Sequence, residues 1–219
     1  MSAAAAHTVR EQAPPAEPIV VYRDDGPLAR AIGRELCGEL PLPAPLLALF
    51  ALLPLAVVAI VAGGDVSNFG AGVVLGWVLL LGGSAAGARG RPKISWAVTP
   101  LLRLTEYVGL IWIAGLHGAS AYPAAFALIF ALQFRHYDLV YRLRHRGVVP
   151  ARWVSALSLG WDGRLVLAYL LLVTGALPAG YYVVATVLGV AFVGEAVYGW
   201  VVIGRVEQPM GDEDEEDEL

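Results

Sequence analysis

The placement of arginine between apolar segments constrains the fold of this chain more than any other feature. Six apolar segments divide the 219 residues, and the connections between them alternate between arginine-rich and arginine-free. A membrane span needs about 20 mostly apolar residues to cross about 30 Å of hydrocarbon. Because Lys and Arg are retained on the cytoplasmic side, the alternation predicts a polytopic membrane protein with its basic connections on one face.

The predicted spans cover residues 45–63, 69–88, 96–116, 122–143, 165–177 and 180–203. The fifth is too short by itself, so residues 158–163 are needed to complete it. Three connections lack Lys and Arg, namely residues 64–68, 118–121 and 178–179. Residues 89–93 contain three basic side chains, and residues 142–152 contain four. We therefore expect a multi-pass protein of the cell membrane with both termini in the cytoplasm.

Composition supports one all-α membrane domain over residues 22–205. Hydrophobic residues make up 58% of the chain, above the 45–50% typical of soluble domains. Residues 1–21 and the acidic stretch 206–219 are predicted to be disordered tails. The chain has no basic face with interleaved aromatic residues, so we expect no nucleic-acid partner.

An amphipathic helix is predicted before the first span. Asp25 is a candidate N-cap and Pro27 falls in the first turn. An apolar residue then recurs every four positions, at Leu28, Ile32, Leu36 and Leu40. This pattern predicts a helix lying on the cytoplasmic leaflet in contact with lipid, and a plain membrane anchor without chemistry is the alternative.

Charged residues inside the predicted spans are the candidate site. Inserting each of them at mid-helix costs about 2.5–3.5 kcal/mol of free energy on insertion scales, so each needs a structural or functional reason. Arg135, Asp138 and Arg142 share one helix face, so Asp138 can bridge both arginines. The candidate catalytic residues are Asp138, Asp162 and Glu195. The candidate substrate-binding residues are Arg103, Glu106, Arg135, His136, Tyr137, Tyr141, Arg142, Trp161 and Arg164.

Two interpretations of these residues stay open. Guanidinium groups suit phosphate, and carboxylates suit either a general base or a divalent cation such as Mg²⁺. The alternative is a set of salt bridges between helices, together with arginines that extend to the headgroups. The sequence assigns no metal ligands.

Four segments of the chain resemble a known family. They are RDDG at residues 23–26, LLRLTEY at 101–107, RHYDLVYR at 135–142 and GWDGR at 160–164. These resemble an actinobacterial six-helix membrane domain of unknown function, which is often fused to a CDP-alcohol phosphatidyltransferase domain. The resemblance implies work close to phospholipid or phosphoalcohol assembly, and it supplies no catalytic residues.

The chain is also similar in layout to the CDP-alcohol phosphatidyltransferases themselves. Residues 25–30, DGPLAR, match the first half of their signature D-G-x2-A-R-x8-G-x3-D-x3-D. The second half fails, because Glu39 stands in the place of the glycine and no aspartate pair follows. The clustered aspartates that hold metal in those enzymes are therefore missing from this stretch.

The leading hypothesis is an integral membrane protein associated with phospholipid or phosphoalcohol biosynthesis. It would have a cytosol-facing polar pocket for a phosphorylated or CDP-linked substrate, and any catalysis would be phosphotransferase-like. Its partners would be membrane lipid and a CDP-alcohol phosphatidyltransferase or that enzyme's substrate. The alternative is a non-catalytic scaffold or partner subunit of such an enzyme.

Overall fold

The protein is all-helical in the part that the structure describes. This computed structural model describes residues 23–36, 42–62, 65–87, 95–146 and 151–206, and no strand occurs in those ranges. The predicted tails, 1–21 and 206–219, lie outside the described residues except for Val206, as do the basic connection 89–93 and residues 37–41. The prediction of an all-α fold is confirmed.

The helices follow one another with short connections. They are α1 (Pro27–Glu35), α2 (Ala44–Val61), α3 (Asn68–Gly87), α4 (Val98–His117), α5 (Tyr122–Arg146), α6 (Arg152–Leu157), α7 (Gly160–Val173) and α8 (Ala179–Val206).

Within the described ranges, four segments are long and apolar enough to cross a membrane, so the chain has the helices of a membrane protein. They are Ala44–Val61, Asn68–Gly87, Trp153–Val173 and Ala179–Val201. The third of these joins α6 to α7, in agreement with the expectation that residues 158–163 belong to a span. Helices α4 and α5 occupy the third and fourth predicted positions, but their charged side chains make them less apolar.

The helices form two packed groups. Helix α3 contacts α1 and α2, while α4 contacts α2 and α7. Helix α5 makes its most extensive contacts with α8. Leu102, Leu110, Trp161 and Leu165 are fully or almost fully buried where α4 meets α7, so the polar residues of these helices lie against a close-packed apolar core.

Helix α1 lies against the end of α3 through two glycines. A Cβ built on Gly33 would come within 2.6 Å of the Gly87 Cα atom, and one on Gly87 within 2.2 Å of the Gly33 Cα atom. Ala29 is also completely buried, whereas Leu28 stays exposed. The helix therefore docks through small residues, and part of its apolar stripe faces away from the bundle.

We expect Gly33→Ala to destabilise the protein, although alanine favours helix by about 1 kcal/mol over glycine. The new methyl group would meet the backbone of α3, and such overpacking costs about 1–3 kcal/mol. Gly76→Ala is the matched control, because a Cβ there meets nothing within 4 Å. Unfolding in detergent should show a loss for Gly33→Ala alone, and equal stability of the two variants would argue against this docking.

Candidate functional site

Buried and partly buried charged side chains from five segments gather into two clusters. The first cluster contains Asp24, which precedes α1, with Arg103 and Glu106 of α4 and Arg164 of α7. The second cluster contains Arg135, Asp138 and Arg142 of α5 with Glu195 of α8. Each cluster holds two cations and two anions, so each is electrically neutral.

Arg164 is the centre of the first cluster. Its Nε donates to Glu106 Oε1 at 2.5 Å, its Nη1 to the Ser158 carbonyl at 2.7 Å, and its Nη2 to Asp24 Oδ2 at 2.9 Å. The Arg164 and Glu106 side chains are 1% and 0% exposed. A buried guanidinium requires this degree of compensation, because an unpaired charge in the interior is very costly.

Arg103 completes the charge balance of the first cluster. Its Nη1 lies 3.5 Å from Glu106 Oε2 and 3.6 Å from Asp24 Oδ2. The carboxylates of Asp24 and Glu106 are thus each shared by the same two arginines. The predicted pairing of Arg103 with Glu106 is present, while Asp24 joins it from a distant part of the sequence.

Asp162 caps helix α1 from another helix. Its Oδ1 accepts the N–H of Gly26 at 2.6 Å, and its Oδ2 accepts those of Leu28 at 2.9 Å and Ala29 at 3.0 Å. The first N–H groups of a helix lack partners within the helix and favour negative charge. Both carboxylate oxygens of this candidate catalytic residue are therefore engaged, and the predicted capping by Asp25 is replaced by capping from α7.

The turn that precedes α1 is fastened to the start of α7. Trp161 donates its Nε1 to Asp25 Oδ1 at 3.2 Å and its backbone N–H to the Asp24 carbonyl at 3.1 Å. Arg23 Nε donates to Asp25 Oδ2 at 2.9 Å. Trp161, a predicted substrate-binding residue, is completely buried and anchors the turn through these hydrogen bonds.

The two aspartates of this turn have opposite pKa shifts. Burial opposes ionisation of Asp24, but the charges of Arg164 and Arg103 outweigh it and lower the pKa of Asp24. Burial dominates at Asp25 and raises the pKa of its carboxyl, although Arg23 and the Trp161 hydrogen bond act in the other direction. Asp24 is thus held as an anion, whereas the environment of Asp25 disfavours its charge.

These shifts predict different pH dependences for two conservative variants. Asp24→Asn should cost about 1–3 kcal/mol at neutral pH, and the loss should disappear at acid pH, where wild-type Asp24 is itself protonated. Because the folded-state pKa of Asp25 is raised, ionising its carboxyl destabilises the folded protein as pH rises toward that pKa. Asp25→Asn should therefore cost less stability at neutral pH than Asp24→Asn. Unfolding curves measured against pH test this, and a larger loss for Asp25→Asn at neutral pH would contradict it.

Glu195 is the centre of the second cluster. Its Oε2 pairs with Arg135 and lies 3.3 Å from Arg142 Nη2, while its Oε1 accepts the backbone N–H of Ala151 at 2.8 Å. Arg142 also pairs with Asp138. Asp138 therefore pairs with Arg142, and Arg135 is satisfied by α8. Arg135 also lies over the ring of Phe192, 5.2 Å from its centre.

The remaining predicted residues occupy three different surroundings. Tyr107 Oη lies 2.6 Å from His136 Nδ1, which joins α4 to α5. Tyr141 stacks on Trp200 of α8 with ring centres 5.7 Å apart. Tyr137 is 74% exposed and lies outside both clusters. Within the described ranges, His136 Nε2 and Arg142 Nε are buried without a hydrogen-bond partner.

Sequence reasoning missed Asp24 and Ser158 as members of the site. Asp24 belongs to the RDDG segment that carries the resemblance, but its spacing gives no sign that it meets α7. Ser158 donates from Oγ to Asp24 Oδ1 at 3.3 Å. A salt bridge between residues 140 positions apart has no local signal in the sequence, so only the tertiary structure reveals these contacts.

The three candidate catalytic acids do not form one metal-binding group. Asp138 and Glu195 lie in the second cluster, whereas Asp162 caps α1 next to the first. Among the residues that the structure describes, no three His, Cys, Asp or Glu side chains lie close enough together to hold a metal ion. The carboxylates of Asp138, Asp162 and Glu195 are bound by guanidinium and backbone N–H groups.

Comparison with known proteins gives a family and no function. Residues 15–216 match DUF5941, a family of unknown function. The chain belongs to this family. No curated protein and no solved structure matches it. The arrangement of charges described above is therefore an arrangement found in a DUF5941 domain, and any function for it has to be argued from the geometry.

Proposed function

We propose that this DUF5941 chain is a non-catalytic, six-span domain of the cell membrane, which acts as a partner of a CDP-alcohol phosphatidyltransferase in phospholipid or phosphoalcohol biosynthesis. Its termini would be cytoplasmic, and α1 would lie at the cytoplasmic leaflet. The actinobacterial resemblance and the fusion of similar domains to such enzymes support the assignment to this pathway.

The distribution of charge supports the topology. Arg103 and Arg164 lie near the starts of α4 and α7, whereas Arg135 and Arg142 lie in the second half of α5. The ion pair of Arg164 with Glu106 joins the first parts of α4 and α7, and that of Arg142 with Glu195 joins the second halves of α5 and α8. In a chain that crosses back and forth, these four portions would lie at the same end of the bundle. In a membrane this would be the inner face, where Lys and Arg are concentrated.

The observation that carries the non-catalytic role is the compensation of every candidate acid. Glu106 pairs with two arginines, as does Glu195, and Asp138 pairs with Arg142. Asp162 accepts three backbone N–H groups. A general base needs a free lone pair within reach of its substrate, and a metal site needs several convergent oxygens. Each of these carboxylates is bound through at least one oxygen to a guanidinium or backbone N–H group, and within the described ranges they do not converge as a metal-binding group, so their role would be to hold helices in register.

A second candidate function is the cytosol-facing pocket for a phosphorylated or CDP-linked substrate. The buried Nε of Arg142 and Nε2 of His136 favour it, since a buried polar atom without a hydrogen-bond partner within the described ranges is costly and would be satisfied by a ligand. Phosphate-binding arginines in such a pocket would be Arg135, Arg142 and Arg164. Each cluster is neutral as a whole, however, so a phosphate would have to displace one of the carboxylates before it met a net positive charge.

A ligand titration separates the two candidates. We expect CDP, CDP-glycerol and Mg²⁺, added singly or together, to leave the melting temperature of the purified chain in detergent unchanged. A ligand that binds the folded state at 100 times its Kd adds about 2.7 kcal/mol of stability, so a substrate pocket would be readily seen. Stabilisation that is lost in Arg135→Gln but kept in Tyr137→Phe, the exposed neighbour, would establish the second candidate.

The partner role has its own test. The chain and a CDP-alcohol phosphatidyltransferase from the same genome should form a complex of defined stoichiometry when reconstituted together in nanodiscs. An unrelated six-helix membrane protein serves as the control partner. No complex at micromolar concentrations would contradict the partner role and leave the description of the ion pairs intact.

A further inference from the structure

Asp24 is the acceptor for donors that come from three parts of the bundle. Its Oδ2 lies 2.9 Å from Arg164 Nη2 and 3.6 Å from Arg103 Nη1, and its Oδ1 accepts from Ser158 Oγ at 3.3 Å. Its backbone carbonyl accepts the N–H of Trp161 at 3.1 Å. One residue therefore offers three oxygens to four donors, which we call the Asp24 cradle: Arg103, Ser158, the Trp161 N–H and Arg164.

The cradle requires an anion. Arg103 and Arg164 are balanced by Glu106 and Asp24, so without the Asp24 carboxylate one positive charge is left over. The Arg164 side chain is 1% exposed, and a buried charge without compensation is strongly unfavourable. Whatever replaces Asp24 must therefore carry about one negative charge and several acceptor oxygens.

The backbone at the cradle has a conformation that suits replacement of Asp24 by a ligand. Asp24 has φ 54° and Leu159 has φ 60°, and they are the described non-glycine residues with positive φ. For a bulky residue such as leucine this is uncommon, and such conformations are concentrated at ligand clamps and switch segments. Helix α1 is held separately by Asp162, so displacing Asp24 would break the hydrogen bonds of this turn to Trp161 without removing the cap of α1.

We propose that the Asp24 cradle is a binding site for a phosphodiester monoanion, and that Asp24 is its internal occupant, which the ligand displaces. A phosphodiester matches the single charge of the carboxylate and offers oxygens in several directions. The planar guanidinium groups of Arg103 and Arg164 are suited to phosphate oxygens. This inference does not depend on the partner role, and it involves neither a metal nor a reaction.

The source of the phosphodiester is either a lipid headgroup or a soluble compound. The cradle lies beside the N-terminus of α1, which leaves Leu28 of its apolar stripe exposed. Phosphatidylglycerol and its deacylated headgroup, glycerophosphoglycerol, carry the same phosphodiester. A comparison of these two probes therefore distinguishes the sources.

The decisive variant is Asp24→Gly in the full chain. Glycine adopts positive φ without strain, so the change removes the carboxylate and keeps the backbone carbonyl. We expect a lower melting temperature, which dimethyl phosphate restores in detergent, with an affinity about tenfold higher than that of the wild type, where Asp24 competes. Asp25→Gly is the matched control, and it should show no restoration by dimethyl phosphate.

Two further arms complete the test. Arg103→Gln in the Asp24→Gly background should abolish the restoration. Restoration of Asp24→Gly at lower concentrations by phosphatidylglycerol than by glycerophosphoglycerol identifies a lipid ligand, and equal or reversed effectiveness identifies a soluble one. Should Asp24→Gly not fold, Asp24→Asn takes the same titration.

The proposal is overturned by any of three results. The first is that no phosphodiester restores either variant. The second is that acetate restores stability while dimethyl phosphate does not, which would show a site shaped for a carboxylate alone. The third is that wild type and Asp24→Gly bind dimethyl phosphate with equal affinity, because Asp24 would then not be the competing occupant.

Discussion

Arg164→Met is expected to destabilise the protein by about 3–5 kcal/mol, the usual cost of removing one partner from a buried ion pair. Methionine fills much of the volume of arginine but leaves Glu106 with Arg103 alone, at 3.5 Å. It also removes the donors to Asp24 and to the Ser158 carbonyl. Chemical unfolding of the full chain in detergent, or the folded fraction recovered after expression, measures this loss.

Arg164→Lys is the control that separates charge from geometry. Lysine keeps the charge but lacks the planar fork that reaches Glu106, Asp24 and the Ser158 carbonyl together. We therefore expect a loss smaller than that of methionine and larger than zero. Normal stability of Arg164→Met would mean that these buried pairs do not form.

Asp162→Ala is expected to cost about 3 kcal/mol and to release α1. Each of the three N–H groups that Asp162 accepts would lose a charged partner, and hydrogen bonds to charged groups contribute about 1.5–3 kcal/mol each before water replaces part of them. Asp162→Asn keeps one acceptor oxygen and should fall between alanine and wild type. Hydrogen exchange at Gly26, Leu28 and Ala29 reports the release directly.

Asp65→Ala is the matched control for Asp162→Ala. Asp65 is exposed in the connection before α3, and substitutions at such surface positions usually change stability by less than about 0.5 kcal/mol. If Asp162→Ala left the exchange of the α1 amides as slow as in Asp65→Ala, the cap from α7 would be disproved. Asp162 would then again be a candidate catalytic residue.

The helices could be predicted from the sequence because apolar length is a local property. The second and third helices, α2 and α3, begin and end within a residue or two of the predicted spans. The fifth predicted span was extended by residues 158–163, and the structure places α6 and α7 in one candidate span with Leu159 at the break. The start of α1 is harder to predict from the sequence, because its cap is supplied by Asp162 from a distant helix.

Most members of the two clusters can be predicted from the sequence, whereas Asp24, Ser158 and the pairing of the charges cannot. Charge inside a predicted span needs compensation, and this marks the following residues from their positions alone: Arg103, Glu106, Arg135, Asp138, Arg142, Asp162, Arg164 and Glu195. Spacing along α5 suggested that Asp138 would serve both Arg135 and Arg142, but Arg135 is satisfied by Glu195 across a helix interface. Contacts of this kind depend on how helices are packed, and no pattern in the sequence records them.

A double-mutant cycle between Glu106 and Arg164 tests the central claim most directly, namely that the buried charges of separate helices bind one another. The cycle compares Glu106→Gln, Arg164→Met and the double variant by unfolding in detergent. We predict a coupling energy of about 2–3 kcal/mol, unchanged by CDP or Mg²⁺. Additive effects of the two substitutions, within about 0.3–0.5 kcal/mol, would show that these side chains are not partners and would contradict the account.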